Sequence, residues 1–174
     1  MIKIPSEYIS ENELRSTVSQ LAVRVAKGID DSWVVLVLLR GSFIFAADFV
    51  RELSRHSVHP SIDFMNIQSY HHGTESSGTT ITAEPTNSIQ GKSVLLLDDI
   101  FDTGYTLSAA AEFCQRQGAS EVKSLVLFEK PARRVTEFSV DYVGRTIEDI
   151  FIVGYGLDHA NQYRSLPYIG VINS

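Results

Sequence analysis

Residues 94–107 read VLLLDDIFDTGYTL, and the order of chemistry along this stretch decides the fold. Ser93 to Leu97 is apolar after its first residue and shows no polar alternation, the mark of a strand covered on both faces. Three carboxylates follow within five residues, Asp98, Asp99 and Asp102, and then Thr103, Gly104, Tyr105 and Thr106. A helix is expected from Thr106 to Gln117, with Leu107, Ala110, Ala111 and Cys114 on one side and Gly118 as its cap. Strand, acidic turn, helix is one βα unit.

The same grammar runs outward in both directions. Trp33 to Leu39 is a second buried strand, leading through Arg40, Gly41 and Ser42 into a helix from Phe43 to about His56. Ser61 to Ile67 and Glu121 to Phe128 read as further strands, and Ile150 to Val153 and Tyr168 to Val171 as short ones. Near the N-terminus, Ser10 and Glu13 form a capping box for a helix whose apolar face is Leu14, Val18, Leu21, Ala22 and Val25, with Gly28 as its stop. Strands alternating with helices predict an α/β fold, a parallel sheet with helices on both faces. Ligands in such sheets bind beyond the carboxyl ends of the strands, where strand order reverses. That points to residues 40–42, 68–80, 98–106 and 129–134. The polar stretch 68–80 is long for a connection and is expected to be a lid.

Bulk properties narrow the function. A chain of 174 residues fits one domain, residues 1–174. With 21 acidic against 15 basic residues the net charge is −6, which argues against a general grip on nucleic acid or an anionic membrane. Any anion must be held locally. The longest apolar runs fall far short of the roughly 20 residues that span a bilayer, and no apolar signal core opens the chain, so a cytoplasmic location is expected. Cys114 is the only cysteine, so no internal disulfide can form, and it reads as a small core residue.

The central motif has two chemical halves. Small and hydroxylic residues at a helix N-terminus form an anion nest suited to a phosphomonoester. The carboxylates upstream would repel a phosphate, but accept hydrogen bonds from sugar hydroxyls or face a magnesium ion. A sugar phosphate with its ring on the aspartates and its phosphate on the turn satisfies both. The competing structural reading makes the aspartates caps of the following helix. Other motifs fail: Gly73 to Thr79 has P-loop spacing but Thr79 stands where lysine is needed, and Gly154 and Gly156 extend to no dinucleotide fingerprint. His71 and His72 are adjacent and read as solvated residues rather than a metal pair. Arg133 and Arg134 read as a basic surface pair or part of a subunit interface.

The stretch VLLLDDIFDTGYTL resembles the phosphoribosyl pyrophosphate signature of type I phosphoribosyltransferases. Leu38 to Leu53, Ser69 to Gly78, Phe128 to Arg134 and Asp149 to Ile172 resemble the hypoxanthine/guanine branch, in collinear order. The resemblance implies a sheet core with a small hood from the N-terminal segment and about 140–174. It further implies magnesium-dependent transfer of a phosphoribosyl group to a 6-oxopurine, with phosphoribosyl pyrophosphate as partner and a homodimer or homotetramer as assembly. In that likeness Asp102 is the general base or proton relay near purine N7, and Asp98 and Asp99 serve the ribose hydroxyls. Asp102, Thr103, Gly104, Tyr105 and Thr106 hold the 5′-phosphate. Lys130 donates to the 6-oxo group, Phe151 stacks on the base, and the backbone of Ile152 meets its edge. Asp158 lies by the purine and coordinates magnesium, with Asp98 and Asp99 as further metal contacts. Leu39, Arg40, Gly41 and Arg164 bind pyrophosphate, through a loop in which the family often has a non-trans peptide. Ser69 and Tyr70 sit on the closing lid.

Three residues depart from the family pattern: Arg40 replaces lysine, Asp98 replaces glutamate, and Arg145 replaces an apolar or aromatic residue. A non-catalytic, nucleic-acid-binding regulator on the same fold is the rival reading, and it would need the basic surface this chain lacks. A preference for xanthine is a nearer alternative. If Tyr70 belongs to a lid that excludes water from an electrophilic ribosyl centre, Tyr70→Gly lowers turnover far more than purine binding. Steady-state kinetics with an unchanged turnover number would remove that role.

Overall fold

The computed structural model describes residues 4–70 and 78–172. In chain order the elements are β1 (Ser6–Ile9), α1 (Glu11–Val25), β2 (Val34–Leu39), α2 (Phe43–Arg55), β3 (Ser61–Tyr70), β4 (Gly78–Ala83), β5 (Ser93–Phe101), α3 (Tyr105–Arg116), β6 (Glu121–Glu129), a 3₁₀ turn (Pro131–Arg133), β7 (Tyr142–Thr146), β8 (Ile152–Val153) and β9 (Ile169–Val171). Six strands form one sheet in the order β4-β3-β2-β5-β6-β7. All neighbours are parallel except β3 and β4. The two ends of the chain supply a second sheet, β1-β9-β8, with antiparallel pairing.

The alternation of side chains along the strands builds two cores. Val35, Val37, Leu95, Leu97, Leu125 and Leu127 face α1 and α2. Val34, Leu36, Leu38, Val94, Leu96 and Val126 face α3. Because both faces of the central strands are covered, Val34–Leu39 and Val94–Leu97 carry no polar residue. Cys114 lies in the second core, where burial pushes its thiol up to about 11.

The Ser10 capping box forms as the sequence requires: the Glu13 amide donates to Ser10 Oγ, and Glu13 Oε2 accepts from the Ser10 amide at 2.9 Å. Arg145 turns out to serve this corner, donating through Nε to Thr17 Oγ1 at 2.8 Å and lying 3.5 Å from Glu13 Oε1. Its departure from the family pattern is therefore a contact between β7 and α1.

Several expectations need correction. The polar stretch 68–80 is not loop throughout: its ends extend β3 and form β4, joined as an antiparallel pair, and residues 71–77, including His71 and His72, lie outside the described residues. Periodicity missed β7, a short strand of half-buried residues with Gly144 at its centre. Strand β5 continues past Leu97 to Phe101, so Asp98 and Asp99 belong to the strand and not to the turn after it. The cis peptide raised for the β2 loop is present between Leu39 and Arg40.

Phe45, on the buried face of α2, is fully buried, its ring 5.9 Å from that of Phe49. Phe45→Ala is expected to cost roughly 3–5 kcal/mol by leaving a cavity, whereas Ile4→Ala, at a residue 88% exposed, should stay within about 0.5 kcal/mol. Denaturant titration of the two variants measures both.

Candidate active site

The chain leaves β2 for β3 on one side, and β5 lies on the other, so the connections that follow β2 and β5 diverge and open a crevice. A cavity of about 370 Å³ occupies it, walled by Leu39 to Gly41 at the end of β2 and by Asp98 to Leu107 at the end of β5. A second cavity of about 370 Å³ shares Arg40, Gly41, Asp99 and Asp102 with the first, and is completed by Lys130, Phe151, Ile152, Asp158 and Arg164. The two thus adjoin. Every candidate site residue whose side chain is described lines one or both. Ser69 and Tyr70 are the last two residues of β3, and their side chains are outside the described residues. A larger cavity of about 640 Å³ between α1, α2 and residues 165–167 contains none of these groups.

The acidic pair dominates the electrostatics. Asp98 and Asp99 are each only 8% exposed. Burial disfavours their charged forms and raises both carboxyls, and the charge of Asp99 pushes Asp98 further up. Asp98 Oδ1 accepts from the Asp99 amide at 2.9 Å. Gly41 lies against Asp99, and a Cβ there would strike the carboxylate. Only glycine lets the β2 loop approach that closely. Ser42 Oγ donates to the Leu38 carbonyl and ties the turn together beneath it.

Downstream, Gly104 adopts φ +97° as the N-cap of α3, and a Cβ would collide with Thr136 Oγ1. No side chain caps this helix, which removes the reading of the aspartates as ordinary caps. The first amides of a helix lack intrahelical partners and attract anions, so the Thr103–Thr106 turn keeps its phosphate-binding chemistry. The Val135 and Thr136 amides donate to the Thr103 carbonyl at 3.0 and 3.2 Å, fixing the turn from outside.

On the other side of the crevice, Lys130 is buried and its Nζ donates to the Ile150 carbonyl at 2.7 Å. Burial lowers its pKa, opposed by the charges of Asp102 and Asp149. An ammonium has three donors, so this bond leaves others for a ligand. Phe151 is 56% exposed, with His159 edge-on to its ring at 5.4 Å. Arg164 is no solvated charge: it donates to the Gly156 carbonyl at 2.7 Å and pairs with Asp158 Oδ1 at 2.6 Å. Asp158 Oδ2 accepts from the Asn161 amide at 2.7 Å.

Among the described residues no group of three or more His, Cys, Asp or Glu forms a metal cage. The available donors are the carboxylates Asp98, Asp99 and Asp158, hard oxygens suited to magnesium, which typically binds through one or two carboxylates plus substrate phosphates. The donor set therefore fits a cation that arrives with a phosphorylated substrate.

Sequence reading missed the place of Arg133 and Arg134. Neither is a mere surface pair: Arg133 contacts Asp102, and the Arg134 guanidinium stacks on the Phe101 ring 3.3 Å from its centroid. The available signal was spacing, since Arg133 follows Lys130 by three residues across Pro131.

A raised carboxyl pKa means that the folded chain holds protons the unfolded chain would release. Stability therefore falls as pH rises from about 4, the unfolded value, up through the folded pKa. Asp98→Asn should raise the thermal midpoint of the ligand-free protein at neutral pH and flatten its decline above pH 4, while impairing the site. Calorimetry across pH in which Asp98→Asn parallels the parent would exclude this strain.

With this geometry established, the comparisons with known proteins are consistent in one direction. The family model described as Phosphoribosyl transferase domain matches residues 11–160. A hypoxanthine-guanine phosphoribosyltransferase of Staphylococcus epidermidis is 38% identical over 168 residues, 95% of this chain and 92% of the relative. The crystal structure of a hypoxanthine phosphoribosyltransferase from Staphylococcus aureus superposes with a TM-score of 0.90 at 35% identity, covering 97% of this chain and 91% of that one. A hypoxanthine phosphoribosyltransferase from Trypanosoma cruzi, complexed with the product IMP, also gives 0.90, at 31% identity over 99% and 93% of the two chains. A nucleotide-sized crevice at the sheet's switch point, the collinear motifs and these likenesses agree: the chain belongs to the phosphoribosyltransferase family, in its hypoxanthine-guanine branch.

Proposed function

We propose that this protein is a purine-salvage enzyme that moves the 5-phosphoribosyl group from phosphoribosyl pyrophosphate to N9 of hypoxanthine, guanine or both, releasing pyrophosphate. The observation that carries this reading is the junction of two cavities at Asp99 and Asp102. One has sugar-phosphate chemistry and the other has a buried ammonium beside an exposed aromatic ring.

In this reading Asp98 and Asp99 accept from the ribose hydroxyls, and the turn Thr103, Gly104, Tyr105 and Thr106 donates amides to the 5′-phosphate. Leu39, Arg40, Gly41 and Arg164 hold the pyrophosphate. Phe151 supplies a stacking face, the Ile152 backbone meets the purine edge, and Lys130 donates to the 6-oxo oxygen. A donor that accepts nothing selects against a 6-amino purine. As N9 bonds to the anomeric carbon and the bond from that carbon to pyrophosphate breaks, Asp102 takes the ring proton. Ser69 and Tyr70 belong to the closing segment that keeps water from the ribosyl centre. Asp98, Asp99 and Asp158 would hold Mg²⁺, which would supply positive charge to offset that of the pyrophosphate. Asp158 keeps lone pairs beyond those used by its Arg164 and Asn161 contacts. Rate acceleration rests on positioning and on charge arranged in advance.

A cytoplasmic location and a homodimer or homotetramer belong to the same reading, supported by the family relationship. Among the described residues no helix is long and apolar enough to cross a membrane.

The test is pyrophosphate release by the purified protein with the sugar donor, Mg²⁺, and hypoxanthine, guanine, xanthine or adenine in parallel. One pyrophosphate per nucleotide is expected with hypoxanthine or guanine, and none with adenine. Lys130→Met should lower kcat/KM for hypoxanthine by about 10- to 100-fold, the worth of a charge-assisted hydrogen bond. No turnover with any 6-oxopurine, alongside tight RNA binding, would replace the enzyme with the regulator; dominance of xanthine would move the substrate.

A further inference from the structure

Strand β6 ends at Glu129, and Lys130 caps a 3₁₀ turn opened by Pro131. Lys130 and Arg133 thus flank one tight turn, and both line the second cavity. The Arg133 amide closes the turn by donating to the Lys130 carbonyl at 3.2 Å. From there the two cations part. Lys130 reaches the Ile150 carbonyl, while Arg133 places a guanidinium nitrogen 3.1 Å from Asp102 Oδ2 and its Nε 3.8 Å from Asp149 Oδ1.

Arg133 lines both cavities, as Asp102 does. The segment it sits on is tied to the phosphate turn by the Val135 and Thr136 amides on the Thr103 carbonyl, so Arg133 and Asp102 keep one spacing. The other oxygen of that carboxylate, Oδ1, is buried and has no hydrogen-bond partner. The carboxylate is thus held at both ends, Oδ1 enclosed by the protein and Oδ2 paired with a cation, while the Asp102 side chain as a whole stays 30% exposed to the cavities.

We propose that Arg133 is a positioning residue for the chemical step. By holding Asp102 Oδ2, it fixes the orientation in which the Asp102 carboxylate receives the proton the purine gives up. In that step the N9 bond to the anomeric carbon forms, the bond to pyrophosphate breaks with its electron pair leaving on pyrophosphate, and the ring proton passes to the Asp102 carboxylate. Arg133 itself touches no reacting atom. The proposal rests on the assignment of Asp102 as the proton acceptor. The Arg133 side chain is 48% exposed, and a pair so open to solvent contributes little to folding. Its loss should therefore be felt in rate rather than stability.

The test compares single-turnover rates, with enzyme in excess over hypoxanthine and saturating phosphoribosyl pyrophosphate and Mg²⁺, in wild type, Arg133→Ala, Asp102→Asn and the double variant. Arg133→Ala should slow the step about tenfold, in keeping with what small misplacements of reacting groups cost. Apparent affinities for purine and donor should stay within about twofold, and the thermal midpoint should not move. Arg133→Lys should recover part of the rate, since a point charge keeps the pairing without the fork. Added to Asp102→Asn, Arg133→Ala should cost nothing more, because the residue it serves is gone. An unchanged rate in Arg133→Ala, or a full tenfold loss in the Asp102→Asn background, would overturn the proposal. A wild-type rate in Asp102→Asn alone would instead overturn the base assignment and the Arg133 role with it, a pattern distinct from either.

Discussion

Two adjoining carboxylates, Asp98 and Asp99, lie within the carboxyl half of β5, a central strand of the sheet, almost out of reach of water. Placing them there works against folding, because each charged form loses hydration and the pair repel. The rest of the crevice is arranged around that constraint. Gly41 gives up its side chain so that the β2 loop can press on Asp99, Gly104 turns the chain at a positive φ beside Thr136, and Arg164 brings a positive charge whose field favours ionised Asp99. The apolar run Val94–Leu97 anchors the pair from below, since a strand buried on both faces cannot slide without exposing leucines.

The same constraint explains the division of labour between the two cavities. In the proposed reading the donor's sugar and phosphate fall to residues within one βα unit, β5 and the start of α3, whose relative position is set by local backbone. The purine and pyrophosphate fall in that reading to residues from four separated segments, near positions 40, 130, 151 and 164. These depend on how the small terminal sheet and the β6 turn lie against the main sheet. Local chemistry is thus rigidly provided, and the specificity-bearing contacts are provided by tertiary assembly.

Charge is used sparingly and close to hand. The net charge is negative, yet Arg40, Arg133, Arg164 and Lys130 converge on one crevice. The two of them nearest carboxylates, Arg133 at Asp102 and Arg164 at Asp158, are paired before any ligand is considered. Such pairing holds long side chains in place, which lowers the ordering cost when a polyanion is bound.

Periodicity and apolar runs made the parallel α/β sheet legible, because strands buried on both faces leave an unmistakable record in Trp33–Leu39 and Ser93–Leu97. The acid-then-hydroxyl order of residues 98–106 carried its phosphate and sugar chemistry openly, since all of it belongs to one turn. β7 was invisible because its residues are half-buried and carry no alternation, and β4 because polar residues can pair as an edge as easily as they can form a loop. Nothing in the chain's linear order told that Asp98 and Asp99 lie within the strand, or that Arg133 reaches Asp102 while Arg145 reaches back to α1. Short-range patterns record which faces are dry; which distant side chains meet is decided only when the sheet order and the second small sheet bring four separate segments to one crevice.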